Sequence, residues 1–361
     1  MKLAKNYSLN QVFNMLNKSP QKMWIVSILW ILIISFFVLL WNLGNISLID
    51  ETEPLFAEAS RQLIERNDWI TPYFNGVTRF DKPILIYWFM AIGFKLIGVN
   101  EWAVRLPSAL SAIALMIFTF YTVLRFGNLL PSTPFSKEVE IPPTPLSKGG
   151  DEDNSKGVEI PPTPLSQVGN NEFKLWIAAI LSSSLIALNL PIIMWGRTGV
   201  SDMLLTACMN GALLAFFQGY AAEKTNIKNR WYIGFYVLIG LAVLTKGPVG
   251  IVLPGISILG FLFYLGKFRE VFKEAKVLLG MIIIAVINLP WYILVTLQNG
   301  DNFINSFFGY HNVERFTEVV NGHSAVWYFY FLVVIIGFMP WSMYLPLAMS
   351  KLNILQRLKW Q

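Results

Sequence analysis

The sequence predicts an all-α integral membrane protein, a polytopic bundle of about eight transmembrane helices with further helices lying on its outer surface. Three observations predict it. Hydrophobic residues make up 55% of the 361-residue chain and charged residues only 14%, where a soluble domain carries roughly a quarter charged residues. Several apolar runs reach the roughly 18 to 20 residues that cross a bilayer. Lys and Arg collect in alternate short connections, which marks those connections as cytoplasmic. The net charge of +6 resides largely in those loops and does not point to nucleic acid. The single cysteine, Cys208, lies in an apolar run and excludes an internal disulfide.

Residues 1–22 are polar and basic, with Lys2, Lys5, Lys18 and Lys22, and read as a cytoplasmic N-terminus. The run 23–42 is long enough to span and reads as a retained first helix, not a cleaved leader. Further spans are expected at about 103–124, 174–194, 200–218, 231–245, 248–265, 277–297 and 326–349. The short inner connections then hold Lys224, Lys228 and Arg230, and next Lys267, Arg269, Lys273 and Lys276. The tail 350–361 holds Lys351, Arg357 and Lys359. The outer connections are 43–102, 195–199, 246–247 and 298–325.

Two segments of the first outer connection read as surface helices. Residues 84–98 have only about eleven uncharged residues before Lys95, short for a span. Counting them as one would invert every later loop and place the basic ones outside. Residues 54–66 carry Leu55, Ala59 and Leu63 as a stripe, with Glu58, Arg61 and Glu65 on the polar side. Residues 127–173 differ from everything around them. V-E-I-P-P-T-P-L-S occurs at 139–147 and again at 158–166, linked by K-G-G-D-E-D-N-S-K-G. Such Pro-, Gly- and charge-rich sequence builds no core, and it reads as a disordered cytoplasmic insertion between 23–126 and the remaining bundle, 174–349.

Under this topology the polar residues of interest share one face. Asp50, Glu51 and Glu53 follow the first span; they are either a solvated loop or the carboxylates of a general base or metal site. Asp81 and Lys82 lie where the chain returns to the membrane, with Lys82 at the level of a lipid phosphate or simply snorkelling. Arg197 and Asp202 flank a tight outer turn. Asp202 starts a helix, which suits a carboxylate, yet an acid set deeper than the interface costs about 2.5–3.5 kcal/mol. Lys246 interrupts an apolar stretch from 231 to 265. The only two histidines, His311 and His323, share the loop 298–325 with Glu314 and Arg315. Together these groups describe an anionic-lipid headgroup site with a nearby general base.

Longer motifs add a resemblance. The stretch from Asp50 to Trp88, D-E-T-E-P-L-F-A-E-A-S-R and onward to F-D-K-P-I-L-I-Y-W, resembles the first outer loop of the ArnT-like and protein-mannosyltransferase-like glycosyltransferases. These form glycosyltransferase family 39, within the C-type membrane glycosyltransferases. N-E-W-A-V-R-L-P-S-A-L, G-R-T-G-V-S-D-M-L-L-T, L-T-K-G-P-V-G and E-R-F-T-E-V-V-N-G-H continue it in order, so that most of residues 40–345 outside the insertion take part.

The resemblance implies sugar transfer from a polyprenyl-phosphate-sugar donor to a lipid, glycan or protein acceptor, at the periplasmic face of the inner membrane. It implies Asp50 as the base or acceptor-positioning group, with Glu51 beside it, and Asp202 as a second acid. Lys82 and Arg315 would hold the donor phosphate, joined by Lys246. In aminoarabinose transferases a metal-associated glutamate precedes the lysine; here that residue is Asp81, and a divalent metal ion would have His323 as the further ligand. No other cofactor is expected. Relatives continue through further spans into an outer soluble domain, whereas this sequence stops at Gln361. Two other readings compete with transfer: a polyprenyl-lipid carrier or flippase, and, suggested by the early stop, a binding-only or inactive remnant of a transferase.

Overall fold

In hydrocarbon, backbone N–H and C=O groups must be satisfied within the segment that carries them, so an apolar run of membrane length folds as a helix. The computed structural model describes residues 20–49, 52–126, 164–314, 328–339 and 341–347. Helix α1 (Pro20–Ser35) continues as a π-helical turn over Phe36–Leu40. It is followed by α2 (Thr52–Glu65), the hairpin β1 (Tyr73–Phe74) and β2 (Val77–Thr78), α3 (Leu85–Ile97) and α4 (Glu101–Phe126). Helix α5 (Pro164–Ala187) begins inside the expected insertion, whose residues 164–173 are helical where a structureless segment was expected; then come α6 (Leu190–Gly196), α7 (Ser201–Ala221), α8 (Thr225–Lys246) and α9 (Val249–Leu265). Next are α10 (Phe268–Glu274) and α11 (Val277–Asn299). A short helix at Asp301–Phe303 runs into a π-helical segment, Ile304–Glu314, and α12 (Phe329–Gly337) lies beyond it.

Among the described residues, five helices are long and apolar enough to cross a membrane: Gln21–Leu40, α4, α7, α8 and α11. The expected span 174–194 is a bent pair instead. α5 and α6 meet at 60°, because Pro191 at the start of α6 has no N–H to continue the helix before it. α9 has 17 residues and is about 25 Å long, slightly short of the hydrocarbon thickness. The expected span 326–349 falls partly outside the described residues, as do the N-terminus, most of the insertion and the tail. Hydropathy thus located the helices, but the count of eight full-length spans is not reproduced.

The short segment 84–98 is a helix of 13 residues, about 20 Å long and too short to span. One face of α3 is buried through Ile86, Tyr87, Met90 and Phe94, and it packs on α2 and α4. The opposite face exposes Phe89, Ile92 and Leu96, the face that an interfacial helix gives to lipid. Lys95 caps the Trp69 ring at 4.6 Å. In α2 the buried face runs through Phe56, Ala59, Ser60 and Leu63, while Leu55 is only half-buried.

Three apolar clusters hold the bundle. One joins α1, α4, α5, α6 and α7 through Leu39, Ala112, Met116, Ala187 and Met203. A second, at the loop end, joins α2, α3, α4, α7, α8 and α11 through Phe56, Phe80, Tyr87, Leu204, Leu244, Trp291 and Phe303. The third lies at the opposite, basic end, where Phe216, Tyr232 and Tyr236 meet Val271 and Ala275. There Lys228 pairs with Glu274 at 2.7 Å, and the Tyr236 hydroxyl donates to the Ala275 carbonyl at 2.9 Å. The chain ends of the helices therefore segregate: α1, α6, α8 and α11 finish, and α4, α7 and α9 begin, at the loop end.

The α8–α9 hairpin closes without room for side chains. A Cβ on Gly250 would sit 2.6–2.8 Å from the backbone of Ala242 and Val243, atoms that cannot swing aside. Gly250→Val is expected to lower stability by about 1–3 kcal/mol, read as a drop in the detergent unfolding midpoint. Gly255→Ala, which meets nothing within 4 Å, should leave the midpoint nearly unchanged.

Candidate functional site

An arginine inside an apolar helix must have every donor satisfied, and Arg105, just over one turn into α4 and only 4% exposed, meets that demand. Its Nε donates to Glu53 Oε1 at 3.0 Å and its Nη2 to Glu53 Oε2 at 2.8 Å. Nη1 donates to the carbonyls of Leu43 and Ile46, both at 2.8 Å, and Nη2 also to that of Ser47 at 3.1 Å. All five guanidinium N–H groups are thereby used. Glu53, 1% exposed, accepts two more: the Ile49 N–H at 2.8 Å and the Gly199 N–H at 2.5 Å. Burial pushes the Glu53 carboxyl upward. The Arg105 hydrogen bonds, the Gly199 and Ile49 amides and the Arg105 charge together outweigh it and hold the group below the usual carboxylate range.

This one ion pair fastens three pieces of chain: the loop 43–49, the start of α2, and the turn before α7. Gly199 has to be glycine there, since a Cβ would fall 2.3 Å from Val104 Cγ1 and 3.4 Å from Glu53 Oε1. The turn is further held by Ser108 Oγ, which donates to the Val200 carbonyl at 3.1 Å, and by Arg197 Nη1, which donates to the Val38 carbonyl at 3.0 Å. Asp202 follows directly, in the first turn of α7. Its Oδ1 accepts from Lys246 Nζ at 2.6 Å, with both side chains about one-third exposed. Asp202 and Lys246, both expected at the site, are therefore partners across the α7–α8 interface.

Lys82 is reached through a different set of contacts. Its Nζ donates to the carbonyl of Asp81 at 2.9 Å. The Asp81 carboxylate accepts from Arg79 Nη2 at 2.6 Å through Oδ2 and from the Tyr87 hydroxyl at 3.2 Å through Oδ1. Complete burial, with the Asp81 charge beside it, pushes the Tyr87 phenol well up, so it acts as a neutral donor. Phe80 packs edge-on against Phe303, with ring centroids 5.2 Å apart. Phe303 stacks on Phe307 at 5.4 Å, which brings the 301–307 segment against the F-D-K-P turn. Trp291 Nε1 donates to the Ile70 carbonyl at 3.0 Å, and Asn299 Nδ2 to Thr71 Oγ1 at 2.8 Å. The end of α11 is thus tied to the same loop.

Of the predicted site residues, Asp81, Lys82, Asp202 and Lys246 all border the apolar cluster at the loop end. Asp50, Glu51, Arg315 and His323 lie outside the described residues. The chain on either side of Asp50 and Glu51, Ile49 and Glu53, is fixed by the Arg105 network. Sequence reasoning missed Arg105, Arg79 and Tyr87, and it read Glu53 as a solvated or catalytic carboxylate where the structure buries it against Arg105. Arg105 carried a signal, as an ionisable residue inside a 26-residue apolar helix; nothing in the sequence paired it with Glu53 across 52 positions.

Comparison with known proteins places this geometry. Residues 81–129 and 171–294 match the family described as dolichyl-phosphate-mannose-protein mannosyltransferase. The structure resembles ArnT from Cupriavidus metallidurans, solved with undecaprenyl phosphate, at a TM-score of 0.70 and 22% identity over 92% of this chain and 51% of that one. The apo form gives 0.69. The fold is therefore that of the C-type membrane glycosyltransferases. Within that class the chain is ArnT-like and protein-mannosyltransferase-like in sequence. It is 26% identical over 309 residues to the undecaprenyl phosphate-alpha-4-amino-4-deoxy-L-arabinose arabinosyl transferase of Yersinia enterocolitica, covering 84% of this chain and 45% of the relative. It is 25% identical over 324 residues to that of Shewanella sediminis, covering 88% and 50%. The chain thus spans about half the length of these relatives.

Removing the Glu53 charge leaves Arg105 buried and uncompensated, at a cost of about 3–5 kcal/mol. Glu53→Gln should lower the unfolding midpoint accordingly. The folded pKa of Glu53 is depressed, so its contribution is full above the ordinary value of 4.5 and is lost as pH falls through the lower folded value. The gap in midpoint between wild type and Glu53→Gln should therefore stay constant at neutral pH and narrow below 4.5.

Proposed function

We propose that this chain transfers a sugar from a polyprenyl-phosphate-sugar donor to an acceptor hydroxyl at the periplasmic face of the inner membrane. The observation that carries the reading is the gathering of Lys82, Lys246 and Asp202 at one end of the bundle, around a loop pinned by Arg105 and Glu53. The basic connections lie at the opposite end, which supports a periplasmic orientation for the site.

In this reading Lys82 and Lys246, with Arg315, take the donor phosphate. The acceptor oxygen attacks the anomeric carbon while Asp50 receives its proton. The bond between that carbon and the phosphate oxygen breaks, and the electron pair stays on the phosphate, where the cations stabilise the growing charge. Direct displacement inverts the anomeric centre. The Lys246–Asp202 pair keeps the ammonium in place before the donor arrives; the phosphate then shares it. Glu51 stands next to the base in the same motif. The relatives' names support 4-amino-4-deoxy-L-arabinose on undecaprenyl phosphate as the first donor to try, and the matched family supports a hexose such as mannose as the second.

A carrier would set its polar groups near the bilayer midplane between repeats. The Lys246–Asp202 pair sits at helix ends and Lys82 lies just ahead of α3, which favours transfer. Purified chain should therefore turn over an undecaprenyl-phosphate-linked sugar. Lys82→Ala and Asp50→Asn should each lower that turnover by roughly a hundredfold, the usual scale for a lost charge-stabilising group or base. Lys246→Ala should lose less, because its charge is shared at the rim. Mass spectrometry of lipid and acceptor products reads all three; wild-type protein with no transfer from either donor would end this reading.

A further inference from the structure

Asp81 is the position at which the family resemblance calls for a metal ligand, and its surroundings are already committed. Each oxygen of the carboxylate has a partner, Arg79 Nη2 at 2.6 Å on one and the Tyr87 hydroxyl at 3.2 Å on the other. The Arg79 backbone N–H is fixed to the Pro72 carbonyl at 2.8 Å, and its guanidinium lies over the Phe56 ring at 5.5 Å. That ring stacks on Tyr87 at 5.2 Å. The Arg79 side chain is 16% exposed, and its Nε is buried without a hydrogen-bond partner. Its engagement with Asp81 therefore runs through Nη2, with the Phe56 ring covering the guanidinium. A guanidinium keeps its charge at every accessible pH. A divalent ion would have to displace it from Asp81 or sit against its positive charge.

We propose that Arg79 is the built-in cation of this site: its guanidinium, in place of a divalent metal ion, neutralises Asp81 and so aims the adjoining Lys82 at the donor phosphate. The link is short. Lys82 Nζ donates to the backbone carbonyl of Asp81, so the peptide that the Arg79–Asp81–Tyr87 cluster holds still is also the platform for the ammonium. Asp81 is one methylene shorter than glutamate, which keeps its carboxylate back toward Arg79. Arg79 and Tyr87 are positioning residues in this account, which for its phosphate-aiming half rests on the proposed function.

The test uses the purified full chain in detergent. Metal content is measured by mass spectrometry, and Zn²⁺ and Mn²⁺ are titrated by calorimetry into wild type, Asp81→Asn and Arg79→Gln. The expected result is no stoichiometric metal in wild type and no change with Asp81→Asn. Near-stoichiometric Zn²⁺ that Asp81→Asn abolishes would overturn the proposal. Binding of undecaprenyl phosphate is measured beside it, with the unfolding midpoint as the control for folding. Arg79→Gln should weaken that binding roughly tenfold through loss of the charge-assisted pair, and Arg79→Lys should recover part of it. If Arg79→Gln does not fold, Tyr87→Phe serves in its place, with a smaller loss expected. A folded variant that binds the lipid as wild type does would overturn the aiming role. Wild-type protein that binds no undecaprenyl phosphate would overturn the functional reading and that role with it, while the metal titration would still decide which cation Asp81 takes.

Discussion

The loop end of this bundle depends on a buried ion pair. A charge taken out of water is tolerated only when its partner and its remaining hydrogen bonds are all in place. Arg105 and Glu53 achieve this by recruiting backbone groups from three separate segments: the carbonyls of Leu43, Ile46 and Ser47, and the amides of Ile49 and Gly199. The arrangement cannot be partly formed at low cost, because an unmatched donor or acceptor in that setting carries its full desolvation penalty. The pair therefore sets the first outer loop, the start of α2 and the turn before α7 as one unit.

Under the proposed sugar transfer, that unit would set positions before any ligand arrives. Displacement at a sugar carbon gains most from groups already aimed at the charge that develops, since no reorganisation is then needed during reaction. Ile49 and Glu53, described residues before and after Asp50 and Glu51, both belong to the Arg105 network. Asp202 lies in the first turn of α7, three residues after Gly199, and pairs with Lys246, so the same network sets the level of the α7–α8 ion pair. The apolar cluster beneath, from Phe56 and Phe80 to Trp291 and Phe303, supplies the rigid floor.

Charges at this end are held in pairs: Lys246 with Asp202, Arg79 with Asp81, Arg105 with Glu53. Their exposures order their roles. The Arg105–Glu53 pair is sealed and structural. The Arg79–Asp81 pair is mostly buried and steadies the peptide that carries Lys82. The Lys246–Asp202 pair is the most open of the three, as the proposed sharing of its lysine with a donor phosphate requires. A gradient from sealed to open pairs lets one end of a membrane bundle hold many charges without destabilising it.

Length, hydropathy and the alternation of basic loops determined, from sequence alone, that the chain is a polytopic helical bundle with α3 too short to span. The motifs around Lys82, Asp202 and Lys246 pointed to one face, and the structure sets these residues at the loop end of the bundle. These features are local, because the run of apolar residues and the distribution of Lys and Arg act through the bilayer and need no long-range partner. Tertiary structure alone decided that Glu53 meets Arg105, that Asp202 meets Lys246, and that Arg79 and Tyr87 take both oxygens of Asp81. It also bent the third expected span at Pro191. Each of these outcomes depends on which helix ends pack together, and a side chain's partner across 52 positions is set by that packing and leaves no period in the sequence.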